Sequence, residues 1–280
     1  MMAEGNKTEP STEMSFESLK YDVRDGLAIV TLNRPEKRNA LDVSMRTELA
    51  EVVMTARSDS SLYAMIITGA GGAFCAGGDI QGMSKGKRSP HESRKRIQDI
   101  YTWLYELVSL ELPVIAAVDG AAYGAGINIA LAADFILAST RARFCEVFGR
   151  IGLIPDVGGL FLLPRIVGLQ KAKELVFSAR AIGPEEAKEL GIVYSIHEPD
   201  ALLDAAIALA GRFRHASREA IGISKNIMNQ SYNQDFRALG ELEAFGQAVA
   251  HDTDYHKAAV KRFLNKEPTL FDWDKMDRDA

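Results

Sequence analysis

The sequence predicts an α/β fold whose last third is helical. Short apolar runs rich in β-branched residues alternate with stretches of helical periodicity up to about residue 199. Two of these runs end in glycine-bearing loops, and from residue 200 onward only helical periodicity remains. Alternating strands and helices followed by helices alone indicate an α/β core with a helical appendage.

The strands and helices follow from this periodicity in chain order. Asp42 is the predicted N-cap of the first helix, because aspartate accepts hydrogen bonds from the free N–H groups at a helix start. Pro184 and Gly191 stand where another helix should begin and end. The predicted strands cover residues 27–33, 63–68, 114–118, 135–138 and 192–196. The other predicted helices cover residues 41–57, a segment ending near 110, 124–132, 157–166, 171–179, 200–215, 218–230, 235–249 and 255–264.

The composition excludes several classes of protein. Of 280 residues, 47% are apolar and 25% charged, which argues against a largely disordered chain, although the polar residues 1–14 are expected to form a disordered tail. The net charge of −5 argues against nucleic-acid binding, which needs a clustered basic surface. Glycines and polar residues interrupt the most apolar stretch, 113–138, so no membrane span is expected. Cys75 and Cys145 form no disulfide framework or zinc motif, and the absence of a secretory signal favours the cytoplasm.

Two glycine-bearing loops are the places where chemistry is expected. Residues 74–80 (FCAGGDI) and 119–128 (DGAAYGAGIN) each follow a buried predicted strand. Small residues let a ligand approach the backbone closely, and the second loop opens a helix whose free N–H groups favour a developing negative charge. Two such N–H groups that converge on one point make an oxyanion hole. The spacing alone leaves an equal alternative, two tight turns selected for packing.

Four motifs stand in order along the chain. They are Asn33-Arg34-Pro35 with Asn39-Ala40-Leu41, residues 69–79 (GAGGAFCAGGD), residues 113–120 (PVIAAVDG) and residues 149–159 (GRIGLIPDVGG). Together they resemble the crotonase superfamily, also called the enoyl-CoA hydratase/isomerase family, and the resemblance covers roughly residues 15–270.

The resemblance implies a fold, an assembly and a substrate class. The fold is a spiral of ββα turns over residues 15–199 with a helical trimerisation region over residues 200–280, assembled as a homotrimer or a dimer of trimers. The substrate is an acyl-coenzyme A thioester, and neither a metal nor a cofactor besides this coenzyme A is implied. The thioester carbonyl is expected between the N–H groups of Gly78 and Ala125, which would stabilise an enolate.

The resemblance also bears on the catalytic side chains. Hydratases of the family carry two glutamates at the positions of Asn128 and Phe148. Water addition needs groups that activate water and protonate carbon, so two neutral side chains disfavour an ordinary hydratase. Asn128 is expected to orient the acyl group, with a structural amide bonded to the backbone as an equal alternative. Phe148 is expected to exclude water.

Asp156 matches the acid/base position of some isomerases in the family. Burial among apolar neighbours would raise its pKa, as a proton-shuttling carboxyl requires, and one carboxyl suffices for a 1,3-proton shift. The alternative for Asp156 is a helix N-cap. Glu146 would share a strand face with Phe148, yet a solvated or structural role is expected for it. Tyr101 stands where dehalogenases of the family use a histidine, which argues against dehalogenation.

Coenzyme A contacts are expected near the first motif and near the C-terminus. Lys37 and Arg38 follow the first strand, where the family often places nucleotide contacts, with a solvated surface charge as the alternative for each. Phe263 and Lys266 match a C-terminal segment that sometimes serves a neighbouring subunit. Asp79 is expected to fix its loop more than to act as a base. The remaining substrate-binding residues implied are Ala40, Ala76, Ile80, Tyr101 and Phe148.

The sequence therefore predicts an enzyme that acts on an acyl-CoA through an enolate, with isomerisation favoured and Asp156 as acid/base. The alternatives are a hydratase with atypical acid/base groups, an acyl-CoA hydrolase or carbon–carbon lyase, and a catalytically silent acyl-CoA-binding subunit.

Overall fold

The computed structural model describes residues 16–79 and 89–273. The predicted disordered tail over residues 1–14 and the expected substrate contact Ile80 lie outside the described residues.

Strands of the described residues form two sheets. The larger sheet has the order β1-β2-β3-β4-β6-β9, in which β1 is antiparallel to β2 and every later pair is parallel. A smaller sheet has the order β5-β7-β8. The strands are β1 Leu19–Arg24, β2 Leu27–Leu32, β3 Ala64–Gly69, β4 Val114–Val118, β5 Ala121–Tyr123, β6 Phe135–Ser139, β7 Arg143–Cys145, β8 Ala181–Ile182 and β9 Ser195–His197.

Helices surround the larger sheet and make up the C-terminal region. The α-helices are α1 Val43–Ser58, α2 Pro90–Val108, α3 Ala125–Leu131, α4 Gly159–Val167, α5 Leu169–Ser178, α6 Pro184–Glu189, α7 Leu202–Gly211, α8 Arg218–Met228, α9 Phe236–His251 and α10 Asp254–Leu264. Short 3-10 helices cover Pro35–Lys37, Val147–Ile151, Pro199–Ala201 and Arg212–His215.

Helix starts are set by local side chains. The predicted N-cap is confirmed at Asp42, whose side chain accepts a hydrogen bond from Met45 N at 2.9 Å. At the start of α2, Ser89 and Glu92 form a reciprocal capping box. Pro184 begins α6, where its missing N–H is no loss. These caps fix the direction in which each helix leaves its loop.

The larger sheet is buried on both faces. Val30 and Met65 belong to the main core, whereas their strand neighbours Ile29 and Ile66 face the opposite side. Helix α7 covers that opposite face with leucine and alanine side chains, beginning with Leu202. The region assigned to assembly from residue 200 onward therefore contributes its first helix to the core.

Several strand predictions need correction. The sequence pattern does not predict β1, β5, β7 and β8, because β1 is a half-exposed edge strand and the other three have only two or three residues. The strand predicted over 192–196 occurs later, at β9. The helix predicted over 157–166 begins at Gly159, which matters for the site described below.

Candidate active site

The buried side chain of Asn39 joins the first motif to the first glycine-bearing loop. Its Oδ1 accepts a hydrogen bond from Arg34 N at 2.8 Å, and its Nδ2 donates to Ala70 O at 2.9 Å and to Ala73 O at 2.7 Å. Asn39 has φ +56°, a left-handed conformation that asparagine adopts more readily than most residues. This amide therefore fixes the path of the chain into residues 74–79.

The two glycine-bearing loops lie against each other. They follow β3 and β4, which are parallel neighbours, so both loops leave the same edge of the sheet. Cys75 N donates to Ala121 O and Tyr123 N donates to Cys75 O, both at 2.9 Å. A Cβ at Gly126 would overlap with Cys75 O, so this close approach requires glycine.

Gly78 and Ala125 each present an N–H group that makes no hydrogen bond within the described part of the chain. Leu41 N donates to Gly77 O at 2.7 Å and Asp79 N donates to Leu41 O at 3.2 Å, so the N–H of Gly78 between them points away from Leu41. Ala125 begins α3, where the first N–H groups have no intrahelical acceptor. A Cβ at Gly77 would lie 3.7 Å from Ala125 N, so the residue before Gly78 is a neighbour of Ala125.

Asp156 lies in the turn before α4 and does not cap that helix. The N-cap is Gly158, so the helix-capping alternative for Asp156 is wrong. The side chain is half-buried, and its Oδ1 is fully buried without a hydrogen-bond partner. Burial raises the pKa of the Asp156 carboxyl, while the positive charges of Arg96 and Arg46 oppose that rise. Such an environment suits a carboxyl that takes up and returns a proton.

The backbone after Asp156 is strained. Val157 is fully buried with φ +48°, a left-handed conformation that β-branched residues rarely adopt. The next residue, Gly158, donates its N–H to the Tyr101 hydroxyl at 3.2 Å, which ties the turn to α2. Such strain persists only where the surroundings hold it, and it is common at functional sites.

Asn128 supports the same turn from α3. It is fully buried, and its Nδ2 donates to Asp156 O at 2.8 Å. A Cβ at Gly159 would overlap with the Asn128 amide, so the turn packs directly on this side chain. This hydrogen bond agrees with the backbone-bonded alternative for Asn128, and its acyl-orienting role stays a prediction.

Glu146 is buried, which agrees with the structural alternative left open for it. Only 2% of the residue is exposed, and neither Oε1 nor Oε2 has a hydrogen-bond partner. Burial raises the pKa of Glu146 to about 8. The nearby Asn128 amide, which forms no well-aligned hydrogen bond with it, lowers this pKa, and the charge of Asp156 raises it. The solvated interpretation of Glu146 is therefore wrong.

Glu146 and Phe148 do not share a strand face, contrary to the expectation from the sequence. Strand β7 ends at Cys145, and the chain then turns into the 3-10 helix Val147–Ile151. The ring of Phe148 is nevertheless buried beside the second loop, since a Cβ at Gly124 would lie 3.6 Å from it. Its water-excluding role stays a prediction.

The expected nucleotide contacts of the first motif lie next to the first loop. Lys37 and Arg38 are exposed, and Ala76 N donates to Arg38 O at 2.9 Å. Ala40 and Ala76 are both half-buried. Asp79 Oδ2 lies 3.6 Å from Arg34 Nη2, in agreement with a loop-fixing carboxylate.

The C-terminal candidates are not joined to the site. Phe263, on α10, is 78% exposed, and Lys266 follows it in an exposed segment. No hydrogen bond or ion pair between described residues connects either one to the motif loops.

Residues 16–79 and 89–273 contain neither a metal-binding cluster nor a membrane-spanning helix. No cluster of three or more His, Cys, Asp or Glu side chains in these ranges is placed to hold a metal ion. No helix in the same ranges is long and apolar enough to cross a bilayer. Cys75 and Cys145 are both free and buried.

The chain matches a known family over most of its length. A family model described as enoyl-CoA hydratase/isomerase matches residues 22–275. The chain belongs to the enoyl-CoA hydratase/isomerase family. The crotonase-type α/β fold predicted from the sequence is confirmed, since a crystal structure of an enoyl-CoA hydratase/isomerase from Cupriavidus metallidurans superposes with a TM-score of 0.86 at 37% identity, covering 92% of this chain and 97% of that one.

Curated members of the family include proteins named hydratase and proteins named isomerase. A probable enoyl-CoA hydratase of Rhodobacter capsulatus is 37% identical over 262 residues, covering 92% of this chain and 99% of that protein. The 1,2-epoxyphenylacetyl-CoA isomerase of Escherichia coli is 32% identical over 258 residues, covering 91% and 98%. Membership establishes an enzyme of this family acting on acyl-CoA, and the choice between hydratase and isomerase must come from the site residues.

Proposed function

We propose that this enzyme is an acyl-CoA isomerase that moves a carbon–carbon double bond by a proton shift. The observation that carries the proposal is the carboxyl of Asp156, which is half-buried with one unpartnered oxygen. Its turn is bonded to the helix that begins at Ala125. An acid/base group held beside a pair of free N–H groups is what an enolate mechanism requires.

The proposed reaction needs one carboxylate and two backbone donors. The thioester oxygen accepts hydrogen bonds from Gly78 N–H and Ala125 N–H, which lower the barrier to the enolate by about 3 kcal/mol. Asp156 removes the proton from C2 of a 3-enoyl group and returns it at C4, so the double bond moves to C2–C3. The proton is conserved, and no cofactor beyond the coenzyme A of the substrate takes part.

Hydration is the less favoured candidate, because no second exposed carboxylate is identified beside Asp156 among the described residues of the site. Glu146 interacts electrostatically with Asp156, but both of its oxygens are fully buried. A buried carboxyl does not activate a water at the double bond in the way a paired carboxylate does. The hydrolase or lyase alternative and the silent subunit remain as outcomes of the test below.

We also propose assembly as a homotrimer or a dimer of trimers through the C-terminal helices. Supporting this, α9 and the segment before it expose large apolar side chains. In a monomer these side chains would stay in contact with water, which is unfavourable. In such an assembly Phe263 and Lys266 would reach the nucleotide of a neighbouring subunit. The exposed apolar residues of this surface are Met228, Tyr232, Phe236, Phe245 and Val249.

The test is turnover of two substrates by the wild type and by Asp156→Asn. Conjugation of a 3-enoyl-CoA and hydration of a 2-enoyl-CoA are followed by absorbance. The Asp156→Asn variant should lose about a thousandfold in kcat for isomerisation, because an amide cannot carry the proton. Asp252→Asn makes the same change at an exposed surface carboxylate and should leave kcat unchanged.

Each other outcome selects a different function. Full isomerisation by Asp156→Asn would remove Asp156 from the mechanism. Hydration without isomerisation would favour the hydratase. Release of free coenzyme A would favour the hydrolase, and acyl-CoA binding without turnover would favour the silent subunit.

A further inference from the structure

Two buried polar side chains lie beside the half-buried Asp156 of the proposed catalytic turn. Asn128 comes from α3, Glu146 from the end of β7, and Asp156 from the turn before α4. Four of their oxygens are fully buried and have no hydrogen-bond partner in the part of the chain that the structure describes: Asn128 Oδ1, Glu146 Oε1, Glu146 Oε2 and Asp156 Oδ1. Buried polar atoms are nearly always hydrogen-bonded in folded proteins, so a cluster of four orphans signals a missing donor.

A proton on Glu146 is such a donor. A neutral carboxyl has one O–H group, and the unpartnered Oδ1 belongs to the adjacent Asn128 amide. Burial favours the neutral form of Glu146 strongly enough to raise its pKa to about 8, so the carboxyl carries its proton at neutral pH. The O–H group would then give a hydrogen-bond partner to Asn128 Oδ1 and use the Glu146 oxygen that carries the proton.

We propose, on the basis of the function proposed above, that Glu146 is a positioning residue for Asp156. In its neutral form the carboxyl O–H donates to Asn128 Oδ1, which orients this amide so that its Nδ2 donates to Asp156 O. The chain from Glu146 through Asn128 holds the strained turn at Val157 in the conformation that aims the Asp156 carboxyl. Glu146 itself does not touch the substrate.

Ionisation of Glu146 dismantles this arrangement for two reasons. An ionised carboxylate accepts hydrogen bonds only, so it can no longer donate to Asn128 Oδ1 and hold the amide in this orientation. Its negative charge also develops close to the carboxyl of Asp156, whose own charge raises the pKa of Glu146. Both effects move the catalytic carboxyl, so the activity should fall as Glu146 titrates.

Charges around Glu146 are few among the described residues. Helix α3 carries no titratable side chain, and β5 contributes Tyr123. Cys145 precedes Glu146, and Arg150 follows it in the 3-10 helix, where its guanidinium bonds with Ala179 O and Cys145 Sγ. Asp156 is the charged group that acts on the Glu146 pKa, so the titration of interest involves these two carboxyls.

The first experiment measures kcat/KM for isomerisation against pH. With a pKa of about 8, wild type should lose about tenfold by about pH 9. Glu146→Gln should keep the neutral-pH rate and lose this alkaline decline, because its amide donates to Asn128 Oδ1 without titrating. Glu146→Ala removes the donor and should be slow at every pH. Glu48→Gln changes another buried glutamate, whose oxygens bond Glu17 N and Ser18 N, and should keep the wild-type profile.

A second experiment needs no turnover. The infrared difference between resting wild type and Glu146→Gln at neutral pH should contain the carbonyl band of a protonated carboxylic acid, which disappears as pH rises through about 8. Absence of the band overturns the proposal, as does a Glu146→Gln profile that declines like wild type. The infrared result stands even if Asp156→Asn remains active, so failure of this proposal is distinguishable from failure of the proposed function.

Discussion

Burial changes the role of three polar residues in the site, Asp156, Asn128 and Glu146. In an exposed turn, an aspartate at the position of Asp156 would cap a helix. A glutamate at the position of Glu146 would be a solvated charge. Here Asp156 stands before the N-cap, Asn128 bonds to the Asp156 carbonyl, and Glu146 has no partner. The chemistry of the site therefore depends on how completely each side chain is removed from water.

Burial of Glu146 also predicts how stability depends on pH. Its pKa rises from 4.5 to about 8 on folding, so between these values the native state binds more protons than the unfolded state. Stability should therefore fall as pH rises through this window, by up to about 1.4 kcal/mol per pH unit from this group. Urea unfolding at several pH values should show a shallower slope for Glu146→Gln than for wild type. Equal slopes would contradict the burial of an unpaired carboxyl.

Among secondary-structure elements, pairings between strands and helices bring the distant motifs together. Parallel β3 and β4 deliver the two glycine-bearing loops to one edge of the sheet. Helix α8 is attached at the opposite edge, where β4 and β6 begin, through Lys225, whose Nζ donates to Asp134 Oδ2 at 2.7 Å and to Leu112 O at 3.2 Å. Asp134 Oδ2 also accepts a hydrogen bond from Val114 N at 2.8 Å, so one ion pair joins α8 to the starts of β4 and β6.

Breaking this ion pair should weaken the attachment of α8. Lys225 is 6% exposed, so Lys225→Met leaves the Asp134 carboxylate without its cation and should cost about 3 kcal/mol in the free energy of unfolding. Lys257→Met removes a lysine that pairs with Asp252 on the surface and should have no measurable effect. Chemical denaturation of both variants checks the contrast, and a stable Lys225→Met protein would show that the pair is dispensable.

The whole molecule combines an α/β core, whose larger sheet is buried on both faces, with a C-terminal region that exposes much apolar surface. Helix α7 still belongs to the core, whereas α9 and α10 contain no buried residue among those described. Phe236 is 95% exposed and Phe245 is 71% exposed. Surfaces of this kind in soluble proteins mark interaction sites, which is why we assign these helices to assembly.

The assembly proposal predicts the effect of a charge on α9. Phe245→Glu would place a carboxylate in the proposed interface, and we expect the variant to sediment as a smaller species than wild type because burying an unpaired charge is costly. Met54→Glu introduces the same charge on α1 and should leave the sedimentation coefficient unchanged. An unchanged Phe245→Glu assembly, or a monomeric wild type, would refute assembly through this surface.

Local signals account for what was predictable. The strand over residues 114–118 and the N-cap at Asp42 agree with the structure, because an apolar run and a capping side chain act on their immediate neighbours. The missed strands β5, β7 and β8 are too short to have a period of their own, and they form because the loops beside them pair across the fold.

By itself the sequence determined the family, the fold class and the motif loops that present Gly78, Ala125 and Asp156, since these depend on residue types at fixed spacing. Only the tertiary structure decided that Asn128 turns to the Asp156 backbone and that Glu146 lies out of water. The physical reason is that burial and hydrogen-bond partners come from segments far apart in the chain, and no local pattern around position 146 records which segments will cover it.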